Sequence, residues 1–255
     1  MMTVHRHTEQ REIYFVSNRQ DRAAAVTVRV RLSGMAPELW RAEDGSVTPI
    51  NYSSDANGVT FSLHLKPYDA VFVVFQHSPR KSQAVPQEQV ADLQTLSGPW
   101  NVHFEAGRGA PPSSSFSVLK PWNESPEPGI KYFSGHATYT QTITVPASAM
   151  QRHARVLLDL GEVHEVAEVS INDSAPIIVW HGPYVADVTH LLRPGLNHVA
   201  ITVTNLWPNR LIGDKQPGAT TYTYAPQSPY RANSQLLPSG LLGPVRLQIA
   251  TTKTE

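Results

Sequence analysis

The chain has 255 residues, with 21 Lys plus Arg set against 21 Asp plus Glu, and no cysteine. That balance offers no net field to nucleic acid or an anionic membrane, and the missing thiols exclude disulfides, thiolate catalysis and zinc-thiolate sites. The length suffices for one large domain or two moderate ones, with cores that need no covalent staple.

The first ten residues, MMTVHRHTEQ, lack an apolar h-region, and no window approaches the ~18 apolar residues of a membrane span. The sequence as written therefore carries neither an export signal nor an anchor. Its 21 prolines and 15 glycines fall as punctuation between short Val, Ile and Leu runs, a texture that predicts an antiparallel, all-β protein. Residues 12–17 (EIYFVS) form a continuous apolar strand closed by a turn at 18–21. Residues 25–32 alternate, with Val26, Val28, Val30 and Leu32 on one face and Thr27, Arg29 and Arg31 on the other. A strand at Trp40, turns at 43–45 and 55–58, the alternating run 59–65 and the apolar run 70–75 complete a small β-sandwich over residues 8–78. The polar stretch 79–92, with prolines at its start and middle, reads as a linker. Residues 87–96 are the best helical candidate in the chain.

A second domain is predicted over residues 93–251. It opens with Leu96-Ser-Gly-Pro-Trp100 and a strand through Val102 and Phe104, then a Gly/Pro/Ser-rich loop at 107–115 in which Arg108-Gly109 reads as an isolated turn. Lys131-Tyr-Phe-Ser-Gly135 opens a long strand through Tyr139, Gln141 and Ile143. Strands follow at 155–160, ended by Gly161, and at 163–171. Asn172-Asp173 is a turn signal, Ile177 to Trp180 an apolar run, and His181-Gly-Pro183 a break. Asp187 before Val-Thr-His-Leu-Leu is an N-cap or Asx-turn residue, and Arg193-Pro-Gly195 closes that one-turn corner. Residues 198–204 alternate as a half-buried strand that runs into Asn205-Leu-Trp-Pro-Asn-Arg210, a loop at the rim of a sheet. Residues 215–237, poor in Val, Ile and Leu, predict a long ordered loop, and 241–249 a closing strand.

The order from Ile171 to Asn205 resembles the sugar-binding jelly roll of family 2 glycoside hydrolases. Trp207-Pro-Asn-Arg-Leu-Ile-Gly-Asp214 and Ser239-Gly-Leu-Leu-Gly-Pro-Val-Arg246 are most similar to the C-terminal region of family 106 α-L-rhamnosidases, and Tyr132-Phe-Ser-Gly-x-Ala-x-Tyr139 resembles the jelly-roll modules of these hydrolases generally. The pattern of residues 12–75 is similar to the sandwich that precedes the jelly roll there. The resemblance implies two β-sandwiches, the second a galactose-binding-like jelly roll. It also implies that the catalytic acids come from an upstream (β/α)8 barrel, a missing catalytic domain, and that the setting is periplasmic or secreted.

Sugars are gripped by an aromatic face against their C–H side and by planar polar groups that bridge hydroxyls. Trp180, Tyr184, Asn205, Trp207, Asn209, Arg210 and Asp214 supply both kinds and are the predicted ligand-binding residues, with a plant or bacterial glycan as partner. The same Trp180 and Tyr184 could equally be sandwich-end core, whereas a Trp-Pro pair leaving a strand cannot continue a sheet. Glycosidase chemistry needs two carboxylates at a defined separation; Glu124, Glu127, Glu162, Glu165 and Asp214 lie in loops, but none sits in a recognised catalytic motif, so catalytic residues are not assigned. The 11 histidines are spread singly without metal-ligand spacing. Calcium held by loop oxygens stays open as a structural ion, and no phosphate-cradling or nucleophile-elbow motif calls for another cofactor. Three functions compete: a carbohydrate-recognising accessory region, a self-sufficient small glycosidase, and a structural module supporting a catalytic barrel.

Overall fold

The computed structural model describes residues 1–43, 45–77, 87–150 and 154–253. It is all-β, built from antiparallel sheets, and divides into two compact units, Met1–Gln87 with Lys253–Glu255 and Glu88–Thr252.

The first unit holds β1 (Met2–His7), β2 (Arg11–Ser17), β3 (Ala24–Val30), β4 (Ala36–Trp40), β5 (Val47–Pro49), β6 (Tyr52–Asp55), β7 (Gly58–Leu65) and β8 (Ala70–Gln76). Sheet β1-β2-β8-β4-β5 and sheet β3-β7-β6 share one core. Alternation decides which side chains enter it: Val59, Phe61, Leu63 and Leu65 from β7 meet Val71, Val73 and Phe75 from β8. Strand β1 lies in the polar N-terminal stretch, outside the predicted 8–78 sandwich. All six of its residues are exposed, so apolar periodicity could not have signalled it. It is held through His5 and His7, each 2.6 Å from one oxygen of Glu12, and by His5 stacking on Tyr14.

The second unit holds β9 (Gln87–Thr95), β10 (Trp100–Phe104), β11 (Ser113–Phe116), α1 (Pro128–Lys131), β12 (His136–Val145), β13 (Ala154–Asp159), β14 (Glu162–His164), β15 (Val166–Ile171), β16 (Ile177–Val179), β17 (Val185–Asp187), β18 (Gly195–Thr204), α2 (Pro208–Gly213), β19 (Gly240–Gly243) and β20 (Arg246–Lys253). Sheets β11-β10-β12-β18-β15-β16 and β17-β13-β20-β9 enclose one large core, with the pair β14-β19 beside them. Trp122 and Tyr139 lie at its heart with parallel rings. Trp122 Nε1 donates to the Tyr139 hydroxyl, which also accepts the Leu241 N–H at 3.2 Å. Burial pushes that hydroxyl well above the ordinary tyrosine pKa.

Three predicted elements need correction. Residues 87–95 are strand β9 rather than helix, and this strand occupies the end of the predicted linker; the rest of that linker, 79–86, lies outside the described residues. The long strand begins at His136 instead of Lys131, because Pro128 starts a short helix whose chain leaves through Tyr132. The run 163–171 is divided at Glu165 into β14 and β15, which pair with different partners.

The turn signals act through side chains. Asn172 and Asp173 both have positive φ, 52° and 60°, the requirement of a type I′ turn. Asn172 then reaches the neighbouring corner, its Nδ2 donating to Leu191 O and Asn197 Oδ1 and its Oδ1 accepting from His198 N. Buried Asn197 closes the Arg193–Gly195 turn by donating to both of those carbonyls. Asp187 accepts from Thr189 N–H at 3.0 Å, the predicted Asx turn, and pairs with Arg155 at 2.9 Å. Burial raises its pKa and the Thr189 and Arg155 donors more than offset that, so the carboxyl sits below its ordinary range.

Candidate functional site

Strand register gathers several loops at one end of the six-stranded sheet. Phe104, the last residue of β10, faces Ala137 near the start of β12; His136 faces Thr204, the last residue of β18; and Val166, the first of β15, faces Thr204 from the other side. The segments 105–110, 132–135 and 205–215, together with Glu165, therefore meet at a common rim. Val179 ends β16 opposite Ala167, which carries Trp180 to the same end.

The first station of this rim is a clasp between the Phe-Ser-Gly and Asn-Leu-Trp-Pro-Asn-Arg motifs. Asn205 Nδ2 donates to Phe133 O at 2.9 Å and its Oδ1 accepts from Gly135 N at 3.0 Å. Ser134 Oγ donates to Leu206 O at 2.8 Å and accepts from Arg210 N at 3.3 Å. Gly135 has φ 146°, and a Cβ there would lie 2.5 Å from a Glu105 oxygen, so the motif needs its glycine. Asn209 ties the far end of the long loop: Nδ2 donates to Leu237 O at 2.8 Å and Oδ1 accepts from Leu237 N at 2.8 Å.

The near end of that loop is tied by Asp214. One carboxylate oxygen accepts from Arg210 Nε at 2.8 Å; the other accepts from Thr223 N at 2.9 Å, Tyr222 N at 3.2 Å and Thr223 Oγ1 at 2.6 Å. Burial raises the pKa of this acid, but the Thr223 and Tyr222 donors and the Arg210 charge together bring it below the ordinary value. Asp214 is thus held ionised with both oxygens engaged. Arg210, also buried, lies over the Tyr222 ring at 5.0 Å.

Trp207 stands outside this network. It is 45% exposed, and the Arg108 guanidinium covers one side of the ring at 4.9 Å while Arg108 Nε donates to Glu105 at 3.1 Å. Arg108 is therefore no isolated turn: it is the outer support of Trp207. Only the folded register could show this, since the two residues are remote in sequence. Gly109 beside it packs so closely on Tyr222 that a Cβ would lie 2.8 Å from the ring.

At the other end of the rim Trp180 is 65% exposed, with the His181 ring set edge-on at 4.6 Å. Tyr184 is half-buried against the core and donates its hydroxyl to Glu165 O at 2.9 Å. The seven predicted residues thus come to one end of one sheet and divide by exposure. Trp180 and Trp207 face solvent; Asn205, Asn209, Arg210 and Asp214 are buried and hold backbone or one another. Tyr222 and Tyr224, 40% and 93% exposed, join the outward-facing aromatics.

Two depressions lie near these residues. One, of about 200 Å³, opens between α2 and residues 221–228 and contains a single carboxylate, Asp214. The other is a small crevice at Asn205 and Asn209 whose single carboxylate is Glu165. Among the described residues no set of three or more His, Cys, Asp or Glu side chains is arranged to hold a metal, and no helix is long and apolar enough to cross a membrane.

Residues 1–54 match the Glyco_hydro_106 family model, described as alpha-L-rhamnosidase. The structure of a rhamnosidase from Novosphingobium sp. PP1Y is 40% identical over 97% of this chain, with a TM-score of 0.88, and the match covers 23% of that protein. The resemblance to the family 106 α-L-rhamnosidases is shown. A putative beta-glucuronidase from Formosa agariphila is 30% identical over 237 residues, which are 81% of this chain and 20% of that protein. The chain thus corresponds to about a fifth to a quarter of the length of these relatives. It is a glycoside hydrolase-related β-region whose rhamnosidase likeness runs through both units.

Proposed function

We propose that this rhamnosidase-like chain is a carbohydrate-recognising accessory region of an α-L-rhamnosidase-type glycoside hydrolase, its second unit a galactose-binding-like jelly roll. The observation that carries the reading is the exposed indole of Trp207, held on a loop whose backbone is cross-bonded to a neighbouring loop and whose ring is backed by a paired arginine. A rigid aromatic plane loses little entropy when the C–H face of a sugar stacks on it. Only Nε of Arg108 is engaged by a protein acceptor among the described residues, leaving four N–H donors to bridge hydroxyls. Asn205, Asn209 and Asp214 keep the platform rigid; the hydroxyl-bridging role predicted for the two asparagines passes to Arg108. Trp180 offers a second plane farther along the rim.

Hydrolysis of a glycosidic bond takes two carboxyl groups about 5 to 5.5 Å or about 6.5 to 9.5 Å apart. Each depression beside the rim presents one, and Asp214 is committed to Arg210 through one oxygen and to Tyr222 and Thr223 through the other. The acid pair is then supplied by a catalytic domain, the glycan is of plant or bacterial origin, and the working setting is periplasmic or secreted. A structural reading, in which the rim only props that domain, is favoured by the internal use of Asn205, Asn209 and Asp214. Titration of the chain with a panel of rhamnose-containing oligosaccharides separates them. Binding abolished by Trp207→Ala, with no turnover of nitrophenyl glycosides, is the expected result; no binding by the unaltered chain leaves the structural reading.

A further inference from the structure

The cleft between α2 and residues 221–228 has a charge pattern that the rim itself lacks. Asp214 brings a negative charge, but the Arg210 guanidinium neutralises it and four donors occupy its oxygens. Lys215, the next residue, is exposed and also lines the cleft, and among the described residues no carboxylate pairs with it. The cleft therefore carries a net positive charge of one. Thr221 and Tyr224, whose hydroxyls have no protein partner among the described residues, line the same cleft, and Ala225 and Pro226 supply an apolar wall. Tyr224, 93% exposed, is a large aromatic surface open to solvent. A free cation, uncommitted hydroxyl donors, an open ring and an apolar wall within about 200 Å³ suit one pyranose that bears an anion.

We infer that this cleft receives an anionic sugar residue, a hexuronate or a sulfate ester, with Lys215 pairing to the acidic group and Tyr224 stacking on the ring. The inference rests on the carbohydrate reading above and adds the charge class of the sugar. For an acidic sugar the Lys215 ammonium supplies the counter-charge as well as N–H donors, and the neutralised Asp214 removes the repulsion that would otherwise oppose it.

Calorimetric titration of the whole chain at low ionic strength tests this with four probes: trigalacturonate, its neutral methyl ester, galactose 6-sulfate and inorganic sulfate. The expected result is that trigalacturonate or galactose 6-sulfate binds at least about tenfold more tightly than the ester, a preference that added salt erodes. Whichever of the two leads identifies carboxylate or sulfate ester as the recognised group. Lys215→Gln should bring the acidic probe down to the level of the ester, Lys215→Arg should keep the preference, and Tyr224→Ala should weaken acid and ester together. Lys215 is a surface residue outside the loop anchors, so these variants do not threaten the fold. Equal affinity for acid and ester overturns the inference while the carbohydrate reading stands. Inorganic sulfate binding as tightly as the sugars overturns it as well, since the site would then hold a simple anion. No binding of any of the four probes overturns the inference, while the carbohydrate reading at Trp207 is decided separately by the rhamnose-containing oligosaccharides.

Discussion

Asn205 and Trp207 sit two residues apart and answer to different physics. Asn205 satisfies the buried Phe133 carbonyl and the partly buried Gly135 N–H inside a clasp, so Asn205→Ala leaves both backbone groups without that partner. The expected loss of stability is about 1–3 kcal/mol, read as a lower denaturant midpoint with an unchanged slope. Trp207→Ala removes a half-exposed ring and a surface cation–π contact worth roughly 0.5–1 kcal/mol, so its stability should change by less than Asn205→Ala while its glycan affinity changes more. The reverse ranking would place Trp207 among the structural residues and Asn205 among the recognising ones. In sequence both residues belong to one polar-aromatic loop, and that composition suggested a shared role. Exposure separates them, and exposure depends on Phe133 to Gly135, some 70 positions earlier, which no local pattern reveals. Arg108 was hidden for the same reason: its partner is an indole brought alongside by the pairing of β10, β12 and β18.

The long loop after α2 shows how an element without regular hydrogen bonding stays ordered. Its composition predicted an ordered loop rather than core, and the structure adds the means: Asp214 grips its near end at Tyr222 and Thr223, and Asn209 grips its far end at Leu237. The Asp214 anchor is titratable, and its sign follows from a folded-state pKa depressed below the unfolded one. Such a group adds stability that is present above the unfolded value, about 3.9 for aspartate, and is lost as pH falls through the lower folded value. The Tyr222 and Thr223 amide resonances should therefore hold their positions from pH 7 to about 4 and move only below that. Movement centred between pH 5 and 6 would mean the carboxylate is not gripped as described. Regular elements were legible where one face is wet: β3 and β7 alternate and were predicted within two residues of their ends. Strand β9 was not. Val90 and Leu93 stand three apart, a helical spacing, and only the place beside β20 in the sheet settles the conformation as extended.

Across the whole molecule, two cores form and share no residue: one around Phe61, Val73 and Phe75, the other around Trp122, Tyr139, Leu158 and Ile201. Each is closed by its own pair of sheets, so each unit has its own source of apolar stabilisation. Leu158 is fully buried on β13 in the larger core. Leu158→Ala should cost about 2–5 kcal/mol through lost burial and the cavity left behind, and that cost should appear in native-state hydrogen exchange of β13, β18 and β20. Strand β7 belongs to the other core, and its amides should keep their protection within about 0.5 kcal/mol, the additivity expected of sites with no shared partners. If β7 loses protection in step with β13, the two cores unfold as one cooperative body. The carbohydrate reading depends on the larger core alone, because every loop of the rim is fixed by strands packed on it; a substitution confined to the smaller core, such as Val73→Ala, should then leave glycan affinity intact even as it lowers the protection of β7.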